Sequence, residues 1–183
     1  MRTILLCGYR GLDPNEPALG LERGASGKTL LEEQILALQA MKMEVTCVLA
    51  GSMADEQLRQ CPRLADVEMV FDDTPGGASL ITNAREGARS APFEACFILP
   101  VEIAAPPREA WEFLRGEYAK VGFDTLESVL QTAKDPQGAP WHLGFPLLFT
   151  RRGIEQLQGT EDLKNLVDAR LKYLHLAPEQ KHL

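Results

Sequence analysis

The sequence predicts a single α/β domain of three layers, in which helices cover both faces of a mostly parallel, Rossmann-like sheet. Two observations support this prediction: short apolar runs alternate with longer amphipathic segments along the chain, and no internal repeat is evident. The 183 residues, 45% of them hydrophobic, are enough to bury a substantial core. We expect the domain to span residues 1–177 and to be followed by a polar tail at 178–183.

The short apolar runs are the predicted strands, because each is bounded by glycine, proline or polar turn residues. The first run is followed by a segment, 8–27, with five glycines and two prolines, which predicts an irregular loop that is a candidate for function. The predicted strands are 3–7, 44–50, 67–71, 95–99 and 147–150.

The longer segments have apolar residues at helical spacing, as in Leu31, Ile35 and Leu38. Pro106 and Pro107 open one of these segments, since proline is tolerated in a first helical turn. Residues 121–141 show a weaker mixture of patterns. The predicted helices are 29–41, 54–60, 79–90, 108–119 and 162–174.

Charge and composition restrict the class of partner. The net charge of −7 disfavours nucleic acid and anionic membrane surfaces, because both require a basic face. The apolar run at the start of the chain is too short for a signal peptide or a membrane span, so we expect a cytoplasmic protein that binds a small molecule or a protein partner. The four cysteines, at 7, 47, 61 and 96, match neither a metal-ligand spacing nor a disulfide framework and are predicted to be buried thiols.

Residues 24–29 (GASGKT) are similar to a phosphate-binding P-loop, but two features disfavour that interpretation. A P-loop has glycine five positions before its second glycine, where this chain has Glu22, and it directly follows a strand, where this chain has a loop. Lys28 and Thr29 are then the start of a helix with a solvated lysine. A P-loop-like nucleotide kinase is the weakest of three functional hypotheses.

Several short motifs, taken in order, resemble a known family. Residues 5–11 (LLCGYRG) and 27–35 (GKTLLEEQI) resemble the opening of the molybdenum-cofactor nucleotidylyltransferases and their sugar-phosphate relatives. The resemblance covers most of the chain and implies a nucleotidyltransferase (GT-A-like) fold, with a nucleoside triphosphate as ligand and a phosphorylated acceptor. Later segments that are similar to motifs of that family are 45–51 (VTCVLAG), 75–80 (PGGASL), 97–103 (FILPVEI) and 144–149 (GFPLLF).

The resemblance also implies roles for individual residues. Arg10 and Lys28 are the implied catalytic cations, which neutralise charge on the phosphates, and Glu102 is the implied Mg²⁺ ligand. The residues implied around the nucleotide are Cys7, Gly8, Tyr9, Gly77 and Ser79.

Three positions depart from the family pattern. Ala18 stands in place of a lysine. Glu102 stands in place of an aspartate, and two interpretations are equally favoured: a Mg²⁺ ligand that shifts the cation by one methylene length, or a glutamate solvated at a strand end. Val101 replaces a glycine, so we expect its β-branched side chain to obstruct the substrate. A second metal carboxylate has no clear counterpart, the nearest acids being Glu161 and Asp162.

Other polar residues near the implied site have a structural interpretation beside the functional one. Ser79 is either a helix N-cap or a ligand to phosphate or ribose, and the two are equally favoured. Asp72 and Asp73 are interpreted as a turn rather than a cation site. His142, beside Trp141, is interpreted as a surface residue next to a packed ring.

Two functional hypotheses share the implied fold. The first is an enzyme that transfers a nucleotidyl group to a phosphorylated acceptor with Mg²⁺. The second is a catalytically inactive protein that binds a nucleotide, a sugar nucleotide or a protein partner. The losses at Ala18 and Val101 favour the second, whereas the retained helix start and Ser79 favour the first.

Overall fold

A computed structural model describes most of the chain in eight segments. They are residues 1–11, 20–75, 78–90, 93–121, 130–131, 146–151, 154 and 172–173.

Seven strands of the described chain form one sheet, in the order β3-β2-β1-β4-β6-β5-β7. The four strands β3, β2, β1 and β4 are parallel to one another, β6 runs antiparallel to both β4 and β5, and β7 is parallel to β5. Their bounds are β1 Arg2–Cys7, β2 Glu44–Ala50, β3 Glu68–Asp72, β4 Ala95–Pro100, β5 Leu130–Gln131, β6 Leu147–Thr150 and β7 Lys172–Tyr173.

The central strands are apolar on both faces, as expected for a sheet covered on both sides. Every residue of β4 is buried, and so are five of the six residues of β1. The helices are α1 Leu30–Ala40, α2 Ala54–Gln60, α3 Leu80–Arg89 and α4 Arg108–Val121, with short 3-10 turns at Gly51–Met53 and Pro62–Asp66.

Helices pack against opposite faces of the sheet. Gly87 of α3 lies against Ile4 of β1, whereas Trp111 of α4 meets the Phe97 ring of β4 edge-on, with centroids 4.8 Å apart. Ile4 and Phe97 face opposite sides, because Phe97 pairs with Thr3, the residue before Ile4. The predicted three-layer α/β/α architecture with a mostly parallel sheet is confirmed. No described helix has the length and apolar character needed to cross a membrane.

Two sequence predictions need correction near the far edge of the sheet. Lys172 and Tyr173 form strand β7 beside β5, so the end of the helix predicted at 162–174 is wrong. Strand β5 lies within the segment of mixed pattern and was not predicted. Both strands have only two residues, and their pairing with each other comes from contacts distant in sequence, which local periodicity does not report. The tail at 178–183 and the rest of the predicted last helix lie outside the described residues.

Candidate functional site

The strand order identifies one edge of the sheet as the place for a ligand. From β1 the chain proceeds outward through β2 and β3, and then returns to place β4 on the other side of β1. At such a reversal the loops after the two central strands separate, and ligands of open α/β sheets bind in the crevice between them. Here that crevice lies between Gly8, which follows β1, and Val101, which follows β4.

Gly8 approaches its neighbours closely. A Cβ atom at this position would lie 2.6 Å from Nδ2 of Asn83 and 2.8 Å from the main chain of Leu49, so no other residue fits without a shift. The Gly8 N–H donates to Oδ1 of Asn83 at 3.4 Å. Nδ2 of Asn83 in turn donates to Oδ2 of Asp72 at 3.1 Å, and the fully buried Asn83 therefore ties the end of β1 to the end of β3.

Asp72 is an acceptor in a turn, as the sequence predicted. Its Oδ1 accepts the Thr74 N–H at 3.0 Å, and its side chain is 5% exposed. Because both of its oxygens have hydrogen-bond donors, the carboxylate is stabilised where it is buried. Asp73, in contrast, is exposed.

The segment after Gly8 runs beside the start of α3. Tyr9 forms a parallel bridge with Ala78, and the Arg10 N–H donates to the Ala78 carbonyl oxygen at 3.1 Å. Ser79 is the N-cap of α3, since its hydroxyl accepts the Thr82 N–H at 3.2 Å. These main-chain contacts place the exposed Arg10 side chain at the edge of the sheet, next to a helix N-terminus.

Glu102 lies at the turn that follows β4. The Val101 N–H donates to the Leu6 carbonyl oxygen at 3.0 Å and so continues the hydrogen bonds between β4 and β1. The Ile103 N–H donates to the Pro100 carbonyl oxygen at 3.1 Å and forms a turn. Glu102 therefore lies at the carboxyl end of β4, beside β1, and is exposed.

The Tyr9 side chain connects the two halves of the crevice. It is 2% exposed, and burial raises the pKa of its hydroxyl far above the usual value, an effect that the negative charge of Glu102 increases. The two groups are near neighbours, but the Tyr9 hydroxyl has no partner at normal hydrogen-bond geometry among the described residues. The residues after β1 and after β4 therefore form one site.

Val101 does not obstruct the crevice as the sequence suggested. Its side chain is fully buried, and a Cβ atom at Gly20 would lie 2.5 Å from its Cγ2 atom. Gly20 has φ +63°, a conformation that glycine adopts without strain, and its carbonyl oxygen accepts the Leu31 N–H at 2.9 Å. Val101 thus fixes the end of the glycine-rich segment against the sheet.

Lys28 lies in a small hairpin before α1, and this hairpin is not a P-loop. Arg23 and Thr29 form an antiparallel bridge, and the Gly24 N–H donates to the Lys28 carbonyl oxygen at 3.1 Å. The first three N–H groups of α1, those of Leu30, Leu31 and Glu32, already donate to Glu22, Gly20 and the Thr29 hydroxyl. A P-loop needs such groups for phosphate, so the structure agrees with the rejection of that motif.

The thiols lie beneath the site and in the core. All four cysteines are free and buried, as predicted. Burial raises the pKa of the Cys7 thiol, and the neighbouring Cys47 raises it further. The carbonyl oxygen of Cys7 accepts a hydrogen bond from Nε2 of the buried Gln57 at 3.1 Å. Cys7 therefore contributes packing and a main-chain acceptor rather than a reactive thiolate.

The other residues singled out in the sequence analysis lie outside the ranges that the structure describes. Gly77 lies outside them, as do Ala18, Trp141, His142, Glu161 and Asp162. Within the described ranges, no three His, Cys, Asp or Glu side chains are grouped so as to hold a metal ion by themselves.

Sequence reasoning missed two buried amides that shape the site, Asn83 and Gln34. Each is a polar residue at an apolar-face position of a helix, and an uncharged amide buried in such a stripe needs partners. The sequence shows a polar residue within an apolar helix face. It does not show the partners of that residue, because they lie far away in the chain.

Comparison with solved structures identifies the same architecture in several proteins. A nucleotidyl transferase from Methanothermobacter thermautotroptrophicus superposes with a TM-score of 0.71 at 17% identity, over 96% of this chain and 87% of that one. A cytidylyltransferase from Leptospira borgpetersenii gives 0.66 at 14% identity, over 98% and 77% of the chains. The chain has the nucleotidyltransferase fold. A third structure, a Mycobacterium tuberculosis protein in complex with manganese, gives 0.64 at 17% identity, over 96% and 87%.

No protein-family model and no curated protein sequence matches the chain. The low identities of the structural neighbours establish the fold and no particular substrate. The neighbours include transferases of more than one kind, so the likeness does not select the molybdenum-cofactor branch.

Proposed function

We propose that this protein binds a nucleoside triphosphate in the crevice between β1 and β4 and transfers its nucleotidyl group to a phosphorylated acceptor. One observation carries the proposal: the closely approached Gly8 loop and the exposed Glu102 meet at the reversal of strand order, through Tyr9. The nucleotidyl and cytidylyl transferases of the same fold support it.

In the proposed reaction an acceptor phosphate oxygen attacks the α-phosphorus of the triphosphate. A new P–O bond forms, the bond to the β-phosphate oxygen breaks, and pyrophosphate leaves with the electron pair. The chain contributes position and positive charge. Gly8 allows close approach of the nucleotide to the main chain, while Arg10 and Lys28 neutralise charge on the phosphates. Ser79 contacts the nucleotide through its main chain at the start of α3, because its hydroxyl already accepts the Thr82 N–H as the helix cap.

Glu102 is the residue proposed to hold Mg²⁺, and the donor set is compatible with this ion. Mg²⁺ keeps several waters and is commonly bound by one or two carboxylates together with substrate phosphates. Such an ion neutralises phosphate charge and orients the leaving group. Because the described residues contain one suitable exposed carboxylate at this place and no group of three ligands, we expect the cation to bind with the triphosphate and not alone. The manganese complex of a protein with the same fold supports divalent-cation use.

The second candidate is an inactive nucleotide-binding or partner-binding protein of the same fold. It is favoured by the buried Tyr9 hydroxyl, which lies near Glu102 and has no other partner among the described residues, because a cation would have to compete with that hydroxyl for the carboxylate. Under this alternative the triphosphate binds without turnover.

The test is a panel of the four triphosphates, with and without Mg²⁺ or Mn²⁺, followed by thermal unfolding and by pyrophosphate release with phosphorylated acceptors. At a ligand concentration of about 100 times Kd, binding adds ~2.7 kcal/mol to the free energy of unfolding, which raises Tm by about 5–10 °C. We expect this shift for a triphosphate with the cation and none for the cation alone.

Variants separate the two candidates. Glu102→Gln should lower pyrophosphate release at least about 100-fold, whereas the control Glu109→Gln, an exposed glutamate of α4, should not change it. A shift without pyrophosphate release for any acceptor supports the binding protein. No shift with any of the triphosphates refutes the enzyme and the nucleotide-binding form of the second candidate, and leaves the partner-binding form.

A further inference from the structure

Gln34 is a polar residue in the apolar face of α1. Its side chain is 3% exposed. The other buried residues of this helix are Leu31, Ile35 and Leu38. A buried amide without partners costs several kcal/mol, so its contacts show what it holds.

All the partners of Gln34 lie in the loop that carries Glu102. Nε2 donates to the carbonyl oxygens of Val101, at 3.4 Å, and of Ile103. Oε1 accepts the Ala105 N–H at 2.8 Å. One amide therefore binds alternate residues of the loop, on both sides of Glu102, and uses its donor and its acceptor at once.

Other hydrogen bonds hold the loop near its two ends: the Val101 N–H donates to the Leu6 carbonyl oxygen at 3.0 Å, and Nε1 of Trp111 donates to the Pro106 carbonyl oxygen at 2.7 Å. Residues 101–107 precede α4 without regular structure, and the turn bond from Ile103 to Pro100 fixes only the first part. The Gln34 contacts extend that order from Val101 to Ala105. Since α1 is also bound at its start to Gly20 and Glu22, the same helix links the Lys28 hairpin to the Glu102 loop.

We propose that Gln34 is a positioning residue for Glu102, whose amide sets the direction of that carboxylate and thereby the affinity of the cation–triphosphate pair. This proposal rests on the proposed function, because it takes Glu102 to be the cation ligand. Hydrogen bonds to a metal-binding side chain commonly contribute 10–100-fold to metal affinity. Because Gln34 binds the main chain on both sides of Glu102 and not its carboxylate, we expect an effect at the lower end, about tenfold.

Two variants test the proposal. Gln34→Met keeps the length of the side chain but removes the donor and the acceptor, whereas Gln34→Glu keeps an acceptor for the Ala105 N–H and removes the donors to Val101 and Ile103. The matched control is Gln39→Met. Gln39 lies on the same helix but beside Glu44, at the start of β2, whereas the crevice lies at the other end of the strands. If Gln34→Met does not fold, Gln34→Leu replaces it, because leucine also lacks the donor and the acceptor and matches the other buried residues of this helix face.

Two measurements distinguish positioning from general destabilisation. Hydrogen exchange of the Ala105 amide should become about tenfold faster in Gln34→Met, stay slow in Gln34→Glu and stay slow in the control. Binding of Mn²⁺ with a non-hydrolysable triphosphate analogue should weaken about tenfold in both Gln34 variants. Binding of the same analogue in the presence of EDTA should change less than about twofold, because a positioning role affects the cation and not the nucleotide loop.

The proposal is overturned if both Gln34 variants bind Mn²⁺ and the analogue as the control does, or if metal-free binding falls by the same factor. Failure of the proposed function has a different signature: the wild-type protein itself would bind no Mn²⁺ with any triphosphate, whatever the exchange rate of Ala105.

Discussion

Gly87 gives the sharpest test of how helix α3 is seated on the sheet. A Cβ atom at Gly87 would lie 2.4 Å from Cγ2 of Ile4 and 2.7 Å from Cγ2 of Val48. Both contacts are with β-branched core side chains that are fully buried, so neither can rotate away freely. Gly87→Ala therefore requires either a shift of the helix or a strained core.

Two effects of opposite sign decide the outcome. Alanine is favoured over glycine within a helix by about 1 kcal/mol, whereas an added methyl group in a packed core costs about 1–3 kcal/mol. Because the overlaps are well inside contact distance, we expect the second effect to dominate, with a net loss of about 1–2 kcal/mol. Tm should then fall by roughly 2–8 °C.

Gly116 of α4 is the matched control. It is exposed, and a Cβ atom there would meet no atom within 4 Å. Gly116→Ala should therefore raise the free energy of unfolding by about 0.5–1 kcal/mol. Urea and thermal unfolding of both variants measure the difference. Equal stabilisation by the two alanines would refute the close packing of α3 on β1 and β2.

Two further predictions concern buried polar groups. Asn83→Ala leaves the Asp72 carboxylate and the Gly8 N–H without a shared partner and should lower the free energy of unfolding by about 3 kcal/mol, as measured in urea; a loss below about 1 kcal/mol would contradict the network. Burial raises the pKa of Cys96, so the unfolded chain releases this proton first as the pH rises. Above about pH 8.5 the free energy of unfolding should fall, by up to ~1.4 kcal/mol per pH unit from this thiol, and Cys96→Ala should reduce that slope; an unchanged slope would contradict the assignment.

The positions of five strands along the chain were predictable because their signals are local, whereas the strand order and the antiparallel direction of β6 were not predicted. Residues 44–50 and 147–150 were predicted with the observed bounds, since each is a short apolar run between turn signals. Helix starts were also local, because Thr29 and Ser79 each accept an N–H three residues ahead in the chain.

The contacts that build the candidate site were not predictable in the same way. Gln34 and Ala105, or Gly8 and Asn83, are far apart in the chain and meet only when the sheet is assembled. Val101 shows the limit most clearly. Its residue type suggested an obstacle to substrate, whereas its environment makes it a packing residue beneath Gly20.

Leu6 of β1 pairs with Pro100 of β4, so the candidate site forms only when the central sheet folds. Its halves follow two central strands that are remote in sequence, so neither half has its shape before those strands pair. Local fluctuations at the sheet edges leave this pairing intact, and its loss accompanies unfolding of the whole core. A core variant that unfolds part of the molecules would therefore weaken the apparent affinity of this crevice in proportion to the fraction that remains folded, while the intrinsic affinity of the folded molecules and the binding capacity at saturating ligand stay unchanged.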